Sequence, residues 1–449
     1  MQFKTKRLLV ASLVSLALLQ ACKKHDVTSD LTPTPTGGSS ANTIKDSTIS
    51  DARDIYLWYS QIPSTFNAQS YADPNAIMEA IRQYSNEPGF SAPVDKWSFA
   101  MKQSEWNNLS SGVSGDFGMN VFFFKEGDLR VKSVERSSPA GAAGIRRGWK
   151  ITKINGSTNI TTSNASFISN AVWNSPTGSF SFQKPDGSSV DLNLTAASYQ
   201  EHPVYLDTVY SIASKKIGYF SFNSFLGDTN EVYNEFSRVF NKFSGAGITD
   251  LVVDLRYNGG GYVSVQQKLA DWLVPSSANG QLMMKEQFNE KYTDYNEVDN
   301  FKKLGSLNLS KIYFIVSSNT ASASELLINN LKPFVNVQLV GPSKTYGKPV
   351  GFFPIPVGDW YIFPVSFRST NNQGQGNYFN GMDLNNQVAD GLDKDWGDIT
   401  ENCLQSAITN ITTGAFRTAS TGETVRMQTV NDVLSAPEFK GAVETRRRK

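Results

Sequence analysis

Two stretches of this chain hold residue types able to activate one another. The first is "VSSNTASASELLINNL", Val316 to Leu331, where Thr320, Ser322 and Ser324 stand between a β-branched run and an apolar, helix-like stretch. The second is "TYGKPVGFF", with Lys348 between Gly347 and Pro349. A lysine so placed lies in a constrained loop, not on a helix face. If it is buried its pKa falls, because desolvation disfavours the charged form. A neutral amine can take a hydroxyl proton, which is the Ser-Lys variant of nucleophilic catalysis. A third stretch, "DLRYNGGG" from Asp254 to Gly261, directly follows an apolar run. Successive glycines let backbone N–H groups turn toward a ligand, and two such donors make an oxyanion hole. Structural readings of the same residues exist. Ser322 with Glu325 three residues on has the form of a capping box, and a glycine run after a strand also makes a tight turn.

Composition removes several alternatives. The 449 residues include two cysteines, Cys22 and Cys403, and two histidines, His25 and His202. A disulfide framework is not available, and neither a His/Cys zinc site nor any other metal or cofactor is expected. A Ser-His-Asp triad would need His25, in a polar leader, or His202, in the connector-like "YQEHPVYLD". The formal net charge is +1 and basic residues cluster only at the two ends, so nucleic acid is not an expected partner.

The elements that would position these residues can be read in order. Residues 1–21 form a signal: Lys4, Lys6 and Arg7, then apolar Leu8 to Leu19, which is about half a membrane span. It ends in "LQAC", and Ala21-Cys22 resembles a bacterial lipobox, although Gln20 is not the usual small residue. Lipid on Cys22 would hold the chain to the cell envelope, on the periplasmic face or the cell surface. Residues 22–50, with "LTPTPTGGSS", read as a flexible tether. Residues 51–110 read as a small helical domain. Residues 111–200 read as a β-rich unit, with a strand ending in a turn at Asn155-Gly156 and a hairpin around Asp186-Gly187. Residues 201–413 alternate strand and helix. "NEVYNEFSRVFNKF" puts Val232, Phe236, Val239, Phe240 and Phe243 on one face, while "DLVVDLR" and "KIYFIV" read as strands buried on both faces. Residues 414–449 turn polar and are expected to be disordered.

The order of "SPAGAAGIRRGWKITKING", "GYFSFNSF", "DLRYNGGG", "TASASE" and "YGKPVG" resembles the carboxyl-terminal processing peptidases, or tail-specific proteases, over about residues 51–413. The resemblance implies a multidomain α/β protein: a small helical N-terminal region, a PDZ-like β domain and a crotonase/ClpP-like ββα peptidase core. It implies Ser322 as nucleophile and Lys348 as general base. Ala323 and Gly260 would supply the oxyanion N–H groups, with Gly259 and Gly261 as alternatives. In the PDZ-like domain, Phe117, Gly118, Met119 and Asn120 match the loop that holds a peptide's terminal carboxylate, with Asn120 where a second glycine is common. Many members carry a glutamine four residues after the lysine; here that residue is Phe352. The expected activity is therefore a serine endopeptidase cutting exported polypeptides near free C-termini. The other reading is a catalytically weak or inactive peptide-binding envelope lipoprotein. A crotonase-like acyl-CoA enzyme would share the core, but an export signal and a peptide-binding unit do not suit a cytosolic thioester substrate.

Overall fold

The computed structural model describes residues 41–416, 434 and 439–445. The expected signal, Cys22, most of the tether and the basic run Arg446 to Lys449 lie outside the described residues. No helix among the described residues is long and apolar enough to cross a membrane.

A six-stranded sheet organises the structure. Its order is Asn386–Gln387, Asn336–Gly341, Lys311–Ile315, Asp250–Asp254, Lys215–Phe222 and Val204–Ile212. All neighbours are parallel except the last pair, which is an antiparallel hairpin. Side chains alternate across a strand, and both faces here are covered. Phe220, Leu251, Val253, Ile312 and Phe314 pack with the helices Thr229–Ala246, Val263–Leu273 and Ala323–Leu331. Ile217, Tyr219, Val252, Tyr313 and Ile315 pack under the helix Asn402–Thr413. The helix Thr229–Ala246 buries the five residues expected of it; Asp228 accepts the Asn230 N–H at 2.9 Å at its start, and Gly247, at φ 66°, ends it.

Residues Met119–Thr195 carry a second sheet of five antiparallel strands in sequential order, with a core of its own that includes Phe117, Phe123, Leu129, Ile151 and Phe182. Ser138 caps the short helix Pro139–Ala142.

Two expectations are corrected, on the tether and on the tail. The first helix runs Ala41–Ile55, so it takes in the end of the expected 22–50 tether. The helical N-terminal region packs onto the rest of the chain: its strand Phe99–Lys102 pairs with Trp360–Phe363, and its helices share one apolar core with Val350, Phe352 and Phe363. The 414–449 segment is not wholly disordered: Gly441–Val443 is a buried strand lying parallel to Gly260–Tyr262.

Candidate active site

Three hydroxyls compete for a chemical role, and the structure separates them. Thr320 Oγ1 donates to the Leu255 carbonyl at 2.7 Å. Ser324 Oγ donates to the Asn258 carbonyl at 3.0 Å. Both therefore fasten this segment to the end of the Asp254 strand. The Ser322 hydroxyl is buried and, among the described residues, donates to no carbonyl; it stands only in the capping-box position facing the Glu325 N–H, without a hydrogen bond of good geometry. A buried hydroxyl without a good partner costs free energy, and unlike Thr320 and Ser324 it contributes no tie to the neighbouring strand.

Ser322 also has an unusual backbone, φ 56° and ψ −105°. Among the described residues the other non-glycine positions with positive φ, Asn155, Ala213 and Ser214, lie on exposed turns, whereas Ser322 is 1% exposed. N-caps ordinarily have extended backbones. Such strain at a junction between strand and helix persists only where the surroundings hold it, and it is found most often at functional sites. Short bonds hold the strain: Ala321 N–H to the Asn258 carbonyl at 3.0 Å and Leu326 N–H to the Ser322 carbonyl at 2.7 Å. The Ala323 N–H, in the first turn of the helix, has no intrahelical acceptor.

Glu325 joins the serine segment to the lysine loop. Its Oε2 accepts the N–H groups of Ser322 and Lys348, each at 2.8 Å, and its Oε1 accepts the Gly347 N–H at 2.7 Å. It stands at the capping-box position, but its carboxylate also fixes a second loop. Burial raises its pKa, and these N–H groups oppose that shift. Gly347 is needed at φ 92°, where a Cβ would meet the Phe379 carbonyl and Gly381 N–H.

Lys348 is 1% exposed. Burial holds its pKa well below the ordinary lysine value; Asp95 and Glu325 pull the other way. Its Nζ donates to the Lys440 carbonyl at 3.0 Å and lies 3.6 Å from the Phe352 ring centroid. Phe352 thus lends the amine an apolar wall and no acceptor.

In the glycine run, Gly260 (φ 106°) and Gly261 (φ 140°) have conformations that L side chains rarely adopt. A Cβ on Gly260 would lie 3.0 Å from the Ala323 nitrogen, so the two expected oxyanion donors come from adjoining residues. The Gly260 N–H here donates to Asn258 Oδ1 at 2.9 Å.

The loop expected to hold a carboxylate lines a cleft that reaches the glycine run. Gly118, Met119 and Asn120 line it together with Asp116, Tyr257, Gly259, Gly260 and Phe439, enclosing about 260 Å³. Phe117 instead lies within the core of the five-stranded unit. The Gly118 N–H donates to Asp116 Oδ1 at 2.6 Å, and Asn120 Oδ1 accepts from Trp173 Nε1 at 3.2 Å. His202 pairs with Glu231, as suits a structural residue. Among the described residues no group of three His, Cys, Asp or Glu side chains is arranged to hold a metal.

The sequence reading missed the second role of Glu325, the acid Asp116 in the loop, and the whole of Phe439–Glu444. The signal for the last was faint: Phe439 and Val443 are apolar residues in a polar tail.

Comparison with known proteins adds to this geometry. Residues 216–383 match the model described as peptidase family S41, and residues 49–99 match the peptidase S41 N-terminal domain. The chain is 25% identical over 310 residues to a probable CtpA-like serine protease of Staphylococcus saprophyticus, covering 67% of this chain and 58% of that protein. It is 26% identical over 264 residues to one from Staphylococcus aureus, covering 57% and 49%. The match thus spans only about half the length of these relatives. The crystal structure of a proposed S41 protease from Bacteroides fragilis superposes with a TM-score of 0.66 at 23% identity, over 82% of this chain and 97% of that one, which shows a common fold.

Proposed function

The chain belongs to the C-terminal processing peptidases of family S41, and on that premise we propose that it is a serine endopeptidase working through Ser322 and Lys348. One observation carries the reading: of three neighbouring hydroxyls, the strained Ser322 is the one that makes no tie to the neighbouring strand, and a single carboxylate ties its backbone to that of a buried, desolvated lysine. The core is read as crotonase/ClpP-like.

A substrate strand lies along Gly260–Tyr262. The Ser322 hydroxyl attacks the peptide carbonyl carbon as its proton passes to the neutral Lys348 amine. The Ala323 N–H and a glycine N–H take the developing oxyanion; for Gly260 to serve, its N–H must leave Asn258 Oδ1. Lys348 returns the proton to the leaving amine, and water then releases the acyl group by the same steps in reverse.

The five-stranded unit is read as PDZ-like, delivering substrate tails by strand addition. The continuous cleft from Gly118 to Gly260 supports this. Asp116 already holds the Gly118 N–H, so a terminal carboxylate has to displace it. Equal cleavage of amidated and free-acid peptides would remove carboxylate recognition from the proposal. Lipid on Cys22 anchors the protein in the envelope; a Cys22→Ser protein that stays with membranes and is processed like the parent refutes that anchor.

The deciding experiment incubates the protein with unstructured polypeptides and maps the cuts by mass spectrometry. Ser322→Ala and Lys348→Ala should fold and be inert, whereas parental cleavage by Ser322→Ala would overturn the assignment. A parent that cuts nothing would favour the peptide-binding lipoprotein, a reading that Phe352 beside Lys348 and the strand already lying in the cleft also support.

A further inference from the structure

The segment Phe439–Glu444 lies where the proposed mechanism needs substrate. Its residues Gly441 to Val443 pair in parallel with Gly260 to Tyr262, and the Gly441 N–H donates to the Gly259 carbonyl at 2.9 Å. On its other edge the Phe352 N–H donates to the Ala442 carbonyl at 3.1 Å, and the Glu444 N–H donates to the Phe352 carbonyl at 3.0 Å. The segment is therefore clamped by main chain on both sides, the mode in which an extended peptide is taken irrespective of sequence. Its Lys440 carbonyl accepts from Lys348 Nζ at 3.0 Å, the amine assigned as general base. Its Gly441 carbonyl faces Gly260 so closely that a Cβ on Gly260 would collide with it. Side chains add to the fit. The Phe439 ring centroid lies 5.6 Å from that of Trp106, and a Cβ on Gly441 would come within 2.7 Å of the Phe352 ring.

We propose that the catalytic cleft is closed by the chain's own segment Phe439–Glu444, bound as a substrate strand, and that substrate must displace it before Ser322 can act. The inference rests on the reading of Ser322 and Lys348 as the catalytic pair. The outer end of the segment favours release. Glu444 is buried beside other acids; burial, then Glu286 and Asp299, push its carboxyl well above the ordinary carboxylate range. Free, this carboxyl is ionised at neutral pH and must take up a proton to seat, a cost that grows as pH rises above its ordinary value.

The test uses the full chain and two variants: Gly441→Asp, which places a charge between the Phe352 and Phe439 rings, and the milder Phe439→Ala. Cleavage of β-casein is measured, together with hydrogen exchange at Gly441–Glu444. Gly441→Asp should cleave at least about tenfold faster than the parent and Phe439→Ala by a smaller factor. A synthetic peptide spanning Pro437 to Thr445 should inhibit Gly441→Asp at concentrations that leave the parent unaffected. Parent and both variants cleaving at one rate would overturn the self-closure and leave the peptidase reading standing. If none cleaves, the peptidase reading fails and exchange decides the rest. Slow exchange in the parent, lost in Gly441→Asp and restored at Gly259–Tyr262 by the peptide, supports occupancy of the cleft. Fast exchange at these amides in the parent refutes it.

Discussion

At the scale of single residues, the decisive groups are a hydroxyl, an amine and the carboxylate between their backbones. Only neutral Lys348 can accept the Ser322 proton, and burial has already lowered its pKa. Activity should therefore climb as pH rises through that lowered value, well below the titration of an ordinary lysine; a kcat profile flat across that range would contradict the role. The same burial costs stability. A lysine whose folded pKa is depressed must shed its proton to fold, so the cost is absent above its unfolded value and grows as pH falls below it. Lys348→Met should be inactive and at least as stable as the parent, with a larger Tm gain at pH 7 than at pH 10. Glu325 acts by positioning. In Glu325→Gln one oxygen remains to accept three N–H groups, so at least one buried donor is orphaned, costing about 1–3 kcal/mol. Because that loss moves Ser322 and Lys348 and not a substrate-binding surface, kcat should fall by more than KM rises. Glu325→Asp should not rescue it, since the shorter side chain does not span both loops.

At the scale of elements, the site is a meeting of three chain segments. The Ala323–Leu331 helix supplies the strained serine at its start, the end of the Asp250–Asp254 strand supplies the glycine run, and the loop before Val350 supplies the amine. Gly260 belongs to the most crowded of these. A methyl there needs φ 106° and meets the Gly441 carbonyl, with the Ala323 nitrogen 3.0 Å away. Gly260→Ala should therefore abolish cleavage while the six-stranded sheet, anchored elsewhere, stays folded. Far-ultraviolet circular dichroism together with the casein assay checks both halves; full activity in this variant would show that the glycine run lies outside the site.

At the scale of the whole molecule, a buried ionic cluster joins the five-stranded unit to the core. Arg147 donates to Asp390 at 2.7 Å; Arg256 donates to Asp390 at 2.8 Å and to both oxygens of Glu401 at 2.9 and 3.0 Å. Tyr257, beside Arg256 and ahead of the glycine run, donates to the same Asp390. Burial alone would raise the Glu401 carboxyl, but Arg256 and Arg147 hold it down, to about 2. A group depressed in this way stabilises the fold above its ordinary value of 4.5 and loses that contribution as pH falls toward about 2. The parent should therefore lose Tm steeply across that interval. Glu401→Gln should start lower at pH 7, since breaking a buried pair costs about 3–5 kcal/mol, and lose less on acidification. Parallel Tm curves for the two proteins would rule out Glu401 as the source.

The sequence by itself determined what depends on residue type and short spacing. The strands "DLVVDLR" and "KIYFIV" and the buried face from Val232 to Phe243 were legible because burial repeats with the period of the element. The candidate residues were legible because few types do nucleophilic chemistry and histidine is scarce. Tertiary structure alone decided which hydroxyl makes no tie to the strand, because Thr320 and Ser324 are engaged by carbonyls 65 and 66 positions earlier in the chain. It also decided that Glu325 reaches Lys348, that Phe99–Lys102 pairs with Trp360–Phe363, and that Gly441–Val443 enters the cleft. Each is a contact between segments far apart in sequence. Local propensity and periodicity carry no record of such contacts, because their free energy arises only when folding brings the two surfaces together.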